Sequence, residues 1–544
     1  MRKSVLWVGC CFILSAGLVF AGGSSEKRTG TAGGTRSAQK IVFALQNVPD
    51  GLDPGITNNS FAAVFLFNLF EGLITYDKDN NIVPALAERW TISGDGTVYT
   101  FTLRRGLKWS DGSPLTARDF VYSYFRILDP KLGGQYSVML TDFIKGAAEY
   151  YEGTGSRDQV GIAAPDDNTL ILTLKGPTPF FLGILGMWTF SPVQQAVTEK
   201  DPERWTLSAA TFVSNGPFKV SDIRLGESVT VVKNEHYWNA ANVKLEEIVF
   251  RYILEPATAL TALEAGQIDG LRSPPASEIS RLKSSSDAYQ SVPSFATTYY
   301  LINRNVKPFD DVRVRKALSM AIDREEIISN VLQSSDSPAF GLVSPGYVLN
   351  GRDFRENRPA YGLSPNANAA EAKRLLAEAG YPNGQGFPTV QLSYYTDRTV
   401  RSIVEVLQQM WKQNLNINAE ITNQEWAVYY EGVQSMDYQI GAMGWGGDYL
   451  HPMTFLTTMT SNNPTNFTSY NNAEYDTLVS AAQLEVDPAK AVKIMQQAED
   501  LAMDDVAVLP LYHRSNVFMM APHVKGCYMT PLANLYFRDA YVER

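Results

Sequence analysis

The chain has 544 residues, more than one ordinary hydrophobic core serves, so two or three domains are expected. With 45% hydrophobic and 19% charged residues it has the composition of a folded globular protein, not of a disordered one. A net charge of −10 argues against broad binding to nucleic acid or anionic membranes, since both call for a Lys/Arg surplus.

In chain order, the first element is an address. Arg2 and Lys3 precede an apolar run from Val5 to Phe20, and Val19 and Ala21 stand at −3 and −1 of a cleavage point before Gly22. Residues 1–21 read as a Sec signal peptide; the run is short for a permanent transmembrane anchor. Cys10 and Cys11 fall inside it, which leaves Cys527 without a disulfide partner. Gly22 stands where a lipoprotein would carry its cysteine, so a periplasmic protein is expected rather than a lipid-anchored one. Residues 22–39 lack any apolar period and read as a flexible tether.

Strand-type runs follow at 40–46, 98–103, 169–174, 229–232 and 248–254. Between and after them come helices. Thr116 and Asp119 form a capping-box pattern ahead of FVYSYFRIL. Val314, Ala317, Leu318, Ala321 and Ile322 make one apolar face, as do Ile403, Val406, Leu407, Met410 and Trp411. Asn368 and Glu371 cap AAEAKRLLAEA, which Gly380 ends. The mixture is α/β or α+β, with no fixed-period repeat.

Catalytic patterns are scarce. The histidines, His236, His451, His513 and His523, are not spaced as on a zinc-binding helix, and no Cys-x-x-Cys, Gly-x-Ser-x-Gly or Walker loop occurs. No catalytic residue, metal or cofactor is expected, although a glycosidase-like carboxylate pair cannot be located or dismissed from sequence. Aromatic residues, at 11%, are the stronger signal. Most belong in cores, and some would line a pocket if an exported protein without catalysis binds a small ligand.

One acid stands out. Between Tyr438 and Ala473 the only charged residue is Asp448, in GWGGDYLHPMTF (444–455). A carboxylate isolated among apolar and aromatic residues is costly to desolvate unless a cation meets it, and the only candidate nearby in sequence is His451, if protonated. The local alternative is a turn aspartate satisfied by backbone N–H groups after Gly446-Gly447.

Five stretches, in order, resemble the peptide-binding class of periplasmic solute-binding proteins that feed ABC importers. They run from LFEGLITYD to YFRILDP (69–130) and from SNGPFKVSDIRL to EHYWNA (214–240). YYLINRNVKPFDDVRVRKALSMAIDREEI (299–327), NQEWAVYY (423–430) and GWGGDYLHPMTFL (444–456) complete the set. The resemblance implies an α/β, bilobal periplasmic-binding-protein fold with a hinge of two chain crossings, plus an inserted third domain. One lobe would combine 40–70, 196–296 and 516–544, the inserted domain would be 71–195, and the other lobe 297–515. It implies an extracytoplasmic receptor that is not an enzyme. Such a receptor captures oligopeptides between its lobes as a monomer and delivers them to the membrane permease of an ABC transporter. Relatives with the same fold that bind oligosaccharides, nickel complexes or haem leave a non-peptide ligand as the alternative.

By position, the resemblance gives Asp448 the ligand's α-amino group. Trp445 and Trp426 become pocket walls, and Gly444 becomes a backbone rung that its missing Cβ lets the ligand approach. Asn58 to Ser60 align with a segment that pairs with the ligand main chain. Tyr136 and Tyr300 align with tyrosines that face the ligand, with a packing role equally open for either. Basic residues that hold a ligand carboxylate in related proteins align with Ala442 and Val400 here, and acidic pocket positions align with Asn58 and Ile302. A less charged pocket, indifferent to whether the peptide ends in an acid or an amide, is therefore the expectation.

Overall fold

The computed structural model describes residues 39–543 apart from 50, 59 and 350. The expected signal peptide lies outside the described residues, as does all of the expected tether except Gln39. That last tether residue already belongs to the fold: its amide Nε2 donates to the Val542 carbonyl and its Oε1 accepts from the Val542 N–H, each at 2.9 Å.

The strands that place the site are β1 (Lys40–Leu45), β2 (Ala87–Ile92), β3 (Val98–Leu103), β4 (Ile162–Asp166) and β5 (Thr169–Thr173). They continue with β6 (Phe218–Arg224), β7 (Ser228–Lys233), β8 (Glu247–Tyr252), β9 (Gly270–Leu271) and β10 (Tyr289–Ile302). Last come β11 (Ser337–Pro338), β12 (Val390–Tyr395), β13 (Ala419–Gln424), β14 (Ile440–Gly446) and β15 (Leu509–Met520). The helices used below are α1 (Ser60–Leu69), α2 (Ala117–Ile127), α3 (Val312–Met320), α4 (Ala369–Glu378), α5 (Arg398–Leu415) and α6 (Trp426–Gln434).

Strands β2, β3, β5 and β4 form a separate antiparallel sheet in that order. Strand β3 alternates buried and half-buried residues, as a sheet covered on one face requires. Helix α2 starts where its sequence says it should. The Thr116 N–H donates to the Asp119 carboxylate at 2.7 Å, and Thr116 Oγ1 accepts from the Arg118 N–H at 3.3 Å.

The other named strands form one mixed sheet in the order β13-β12-β14-β10-β15-β9-β1-β8-β7-β6, with β11 joined to β15. Its two halves share only β10 and β15 among the described residues. Residues Tyr289–Pro293 pair with Met519–Ser515, and on its far edge β15 meets β9 at Met519 and Met520. Beyond a break, Thr297–Tyr300 pair with His513–Leu509, and there the far edge of β10 carries β14. The chain passes between the halves on these two strands, and both are irregular at the passage.

Separate apolar clusters fill the regions. One lies on the four-stranded sheet (Phe101, Phe120, Leu172) and one behind β12 and β14 (Val314, Leu318, Leu407, Trp411). A third joins Phe43, Phe65 and Phe250 to Phe537 near the C-terminus. Burial of each such side chain contributes about 1.5–3 kcal/mol. The expected face of α3 is buried as read. On α5 the face is rotated slightly: Val404 is fully buried and Val406 only half-buried, because Val404 points inward with Ile403, Leu407 and Trp411.

Candidate functional site

The site is built on the end of β14. Two hydrogen bonds fix the phase of its ladder with β10: the Asn303 N–H donates to the Gln439 carbonyl at 2.9 Å, and the Gly447 N–H to the Phe295 carbonyl at 2.7 Å. Odd-numbered residues between them therefore face β10. Ala442, Gly444 and Gly446 turn their N–H and C=O groups to the opposite edge, since paired and unpaired positions alternate in an antiparallel ladder. Strand β12 covers that edge only at Ile440 and Gly441. The Ala442 carbonyl accepts the Tyr429 hydroxyl at 2.6 Å. Past it, the Gly444 and Gly446 edge has no strand beside it among the described residues. An uncovered edge of this kind can take an extended chain as an added strand.

Gly444 differs from its expected role in one respect. A Cβ there would lie 2.9 Å from Arg514 Nη2 and 2.9 Å from the Thr297 carbonyl oxygen. The space it leaves free is filled by the protein's own Arg514.

Beyond β14 the chain turns through Gly447 to Asp448. The Asp448 N–H donates to Thr454 Oγ1 at 3.2 Å, and the Trp445 indole N–H reaches the same buried oxygen at 3.4 Å. Among the described residues nothing donates to the Asp448 carboxylate and no cation pairs with it. The turn-aspartate alternative finds no support among the described residues: no backbone N–H donates to the carboxylate, and the Gly447 N–H goes to Phe295 instead. His451 is no counter-ion either. Its ring is half-buried, stacked 5.0 Å from Phe180 and edge-on 5.1 Å from Tyr347, and desolvation pushes its pKa down to about 3. Burial likewise pushes the Asp448 carboxyl up to about 6. The site thus holds a half-buried acid with no partner of its own.

Tyr136 faces this acid. Burial, then the charge of Asp448, pushes its hydroxyl up to about 12. Its ring packs edge-on at 5.7 Å against Trp188, whose indole N–H donates to the Thr57 carbonyl at 3.1 Å. The neighbouring Gln135 accepts from the Asn58 side-chain amide. Residues 57–58, 135–136 and 188, far apart in sequence, therefore meet, and Tyr136 lies within electrostatic reach of Asp448. Ser60 heads α1 just beyond Asn58.

Trp426 opens α6 and is 51% exposed, stacked 5.3 Å from Tyr430 and edge-on 5.1 Å from Tyr395. Trp445 is half-buried. Tyr300 is placed differently. It is 1% exposed, packed in the cluster behind β12 and β14, and its hydroxyl finds no partner among the described residues. Its hydroxyl is held well above its usual value by burial first, and then by the hydroxyls of Tyr512, Tyr429 and Tyr395.

Sequence reasoning missed Thr454, Trp188 and Arg514. No signal marks the first two. Arg514 carries a weak one, a cation within the apolar strand LPLYHRSNVFMM. Among the described residues no group of three or more His, Cys, Asp or Glu is placed to hold a metal ion, and no helix is long and apolar enough to cross a membrane.

Comparisons agree with this architecture. Residues 81–467 match the family described as bacterial extracellular solute-binding proteins, family 5. The chain is 34% identical to the oligopeptide-binding protein OppA of Bacillus subtilis, over 99% of each. The unliganded open form of the periplasmic murein tripeptide-binding protein MppA superposes with a TM-score of 0.82 at 31% identity, covering 93% of this chain and 98% of that one. The Haemophilus influenzae OppA complex with the peptide RPPGFSPFR gives a TM-score of 0.71 at 28% identity, with 93% and 99% coverage. The fold is the bilobal periplasmic-binding-protein fold, and the chain belongs to the family 5 bacterial extracellular solute-binding proteins.

Proposed function

We propose that the protein is an extracytoplasmic receptor that captures oligopeptides and delivers them to an ABC permease, without catalysing any reaction. The observation that carries this reading is the Asp448 carboxylate, half-buried and unpartnered at the end of an uncovered strand edge. A peptide's α-ammonium supplies the missing charge and three N–H donors, while its main chain bonds to Gly444 and Gly446 whatever its side chains. Trp445 and Trp426 give apolar walls that accept varied side chains. On this reading Asn58, Ser60 and Tyr136 belong to the part of the site that faces Asp448 across the ligand. The bound peptide lies between a lobe of 40–70, 196–296 and 516–544 and a lobe of 297–515, with 71–195 inserted in the first. The break in β10 and β15 supports the division at 296/297 and 515/516.

On this reading the receptor works as a monomer, exported by its signal peptide, with no nucleic-acid partner. Native mass spectrometry of the purified protein, followed by denaturation and sequencing of released small molecules, tests the ligand class. Peptides with free amino termini are expected; an oligosaccharide, a metal complex or a haem in their place would contradict the proposal.

A further inference from the structure

Arg514 stands where β10 and β15 part. Pro293 pairs with Ser515 and Thr297 with His513, so three residues of β10, Ser294–Ala296, face Arg514 alone. Irregularities of this kind re-aim side chains. The exposed Arg514 side chain turns across the sheet: its Nε donates to Thr298 Oγ1 at 2.8 Å, and its Nη2 occupies the space over Gly444. Thr298 and Gly444 are register partners, so the guanidinium lies on the rung whose outward N–H and C=O are uncovered.

Both terminal nitrogens of Arg514 lack a hydrogen-bond or ion-pair partner among the described residues. Asp336 senses the Arg514 charge, but its carboxylate already accepts the Ser515 N–H at 2.7 Å and the Ser334 hydroxyl at 2.8 Å. The site therefore holds two charges of opposite sign, Asp448 and Arg514, that do not pair with each other. Four residues of chain separate Asp448 from Gly444, and because the chain turns at Gly447 they span at most about 13 Å at 3.3 Å per residue. An extended peptide covers that span in three to four residues.

We propose that Arg514 is the counter-charge for a carboxylate on the third or fourth residue of the ligand, and so selects peptides that are negative there. The carboxylate is either the C-terminus of a tri- or tetrapeptide or an acidic side chain in a longer one. Guanidinium suits either, because its fixed fork of donors matches a carboxylate. This inference rests on the peptide-receptor reading, and it reverses the expectation, drawn from Ala442 and Val400, that acid and amide bind alike.

The test is calorimetric titration of wild type, Arg514→Gln and Arg514→Lys. The ligands are trialanine and tetra-alanine, each as free acid and as amide, and Ala-Ala-Glu-Ala-Ala-amide against its Gln counterpart. Wild type is expected to favour the negatively charged member of at least one pair by tenfold or more. Arg514→Gln should bind both members alike, and Arg514→Lys should recover part of the preference. Preference confined to the acid and amide pairs assigns the C-terminus; preference in the Glu and Gln pair assigns a side chain. Equal binding of all pairs by wild type, or an undiminished preference in Arg514→Gln, overturns the role of Arg514 while leaving peptide binding intact. Failure of wild type to bind any of these peptides overturns the receptor reading and this inference together.

Discussion

On the proposed reading a single carboxylate decides most of the chemistry. Asp448 has been pushed up to about 6 by burial, so its ionised form is held at a disadvantage until a cation arrives. Only the ionised form attracts an ammonium, which gives peptide binding a definite sign with pH. Above pH 6 the site is ready and affinity is flat; below it, each pH unit weakens binding by up to about tenfold, because a proton must leave before the ligand enters. Titration of one peptide from pH 7.5 to 4.5 is expected to show about a thirtyfold loss. Asp448→Asn should be weak and flat across the range, and a flat wild-type profile would contradict the assignment. The raised value also acts on the ligand-free fold. It contributes stability fully below the unfolded carboxylate value near 4 and loses it as pH rises through 6. Asp448→Asn should therefore stabilise the ligand-free protein at pH 7.5 by of order 1–2 kcal/mol, and little at pH 4, as differential scanning calorimetry would register.

At the scale of elements, α5 shows how far a periodic pattern reaches. Val404 and Val406 are both apolar and β-branched, and either extends a 3.6-residue stripe with Ile403 and Leu407. Packing against α3, where the Trp411 indole N–H donates to the Leu318 carbonyl at 3.0 Å, settles the rotation in favour of Val404. Val404→Ala should cost about 2 kcal/mol in urea unfolding and Val406→Ala under about 1, since only the first leaves a cavity. Equal costs would contradict the observed rotation. The capping box of Thr116 and the strand at 98–103 were legible because their signals are local. The charge of Arg514 in the site was not, because its contacts with Thr298 and Gly444 come from strands 216 and 70 residues away along the chain. For the same reason Asp448 could be singled out from its neighbours, whereas the absence of a partner in the folded chain could only be seen once Gly447 and His451 were placed.

For the whole molecule, the large sheet is in effect two sheets joined by two strands. Among the described residues only β10 and β15 link the halves, and both lose regular pairing between Pro293 and Thr297. Such a joint bends at few residues, and a ligand that touches both sides favours the closed arrangement by its differential affinity. Small-angle X-ray scattering is expected to show a smaller radius of gyration on adding a saturating peptide, and no change with the same peptide N-acetylated. A radius indifferent to the free peptide would exclude ligand-driven closure.

The central claim is that Asp448 recognises the amino terminus of a peptide. It is tested most directly by calorimetric titration of one pentapeptide, with its amine free and acetylated, into the wild-type protein at pH 7.5. Acetylation removes the cation that meets Asp448 and leaves the acid unpaired, so a loss of at least about 3 kcal/mol, more than a hundredfold in Kd, is expected. Equal affinity for the free and acetylated peptides would contradict the account.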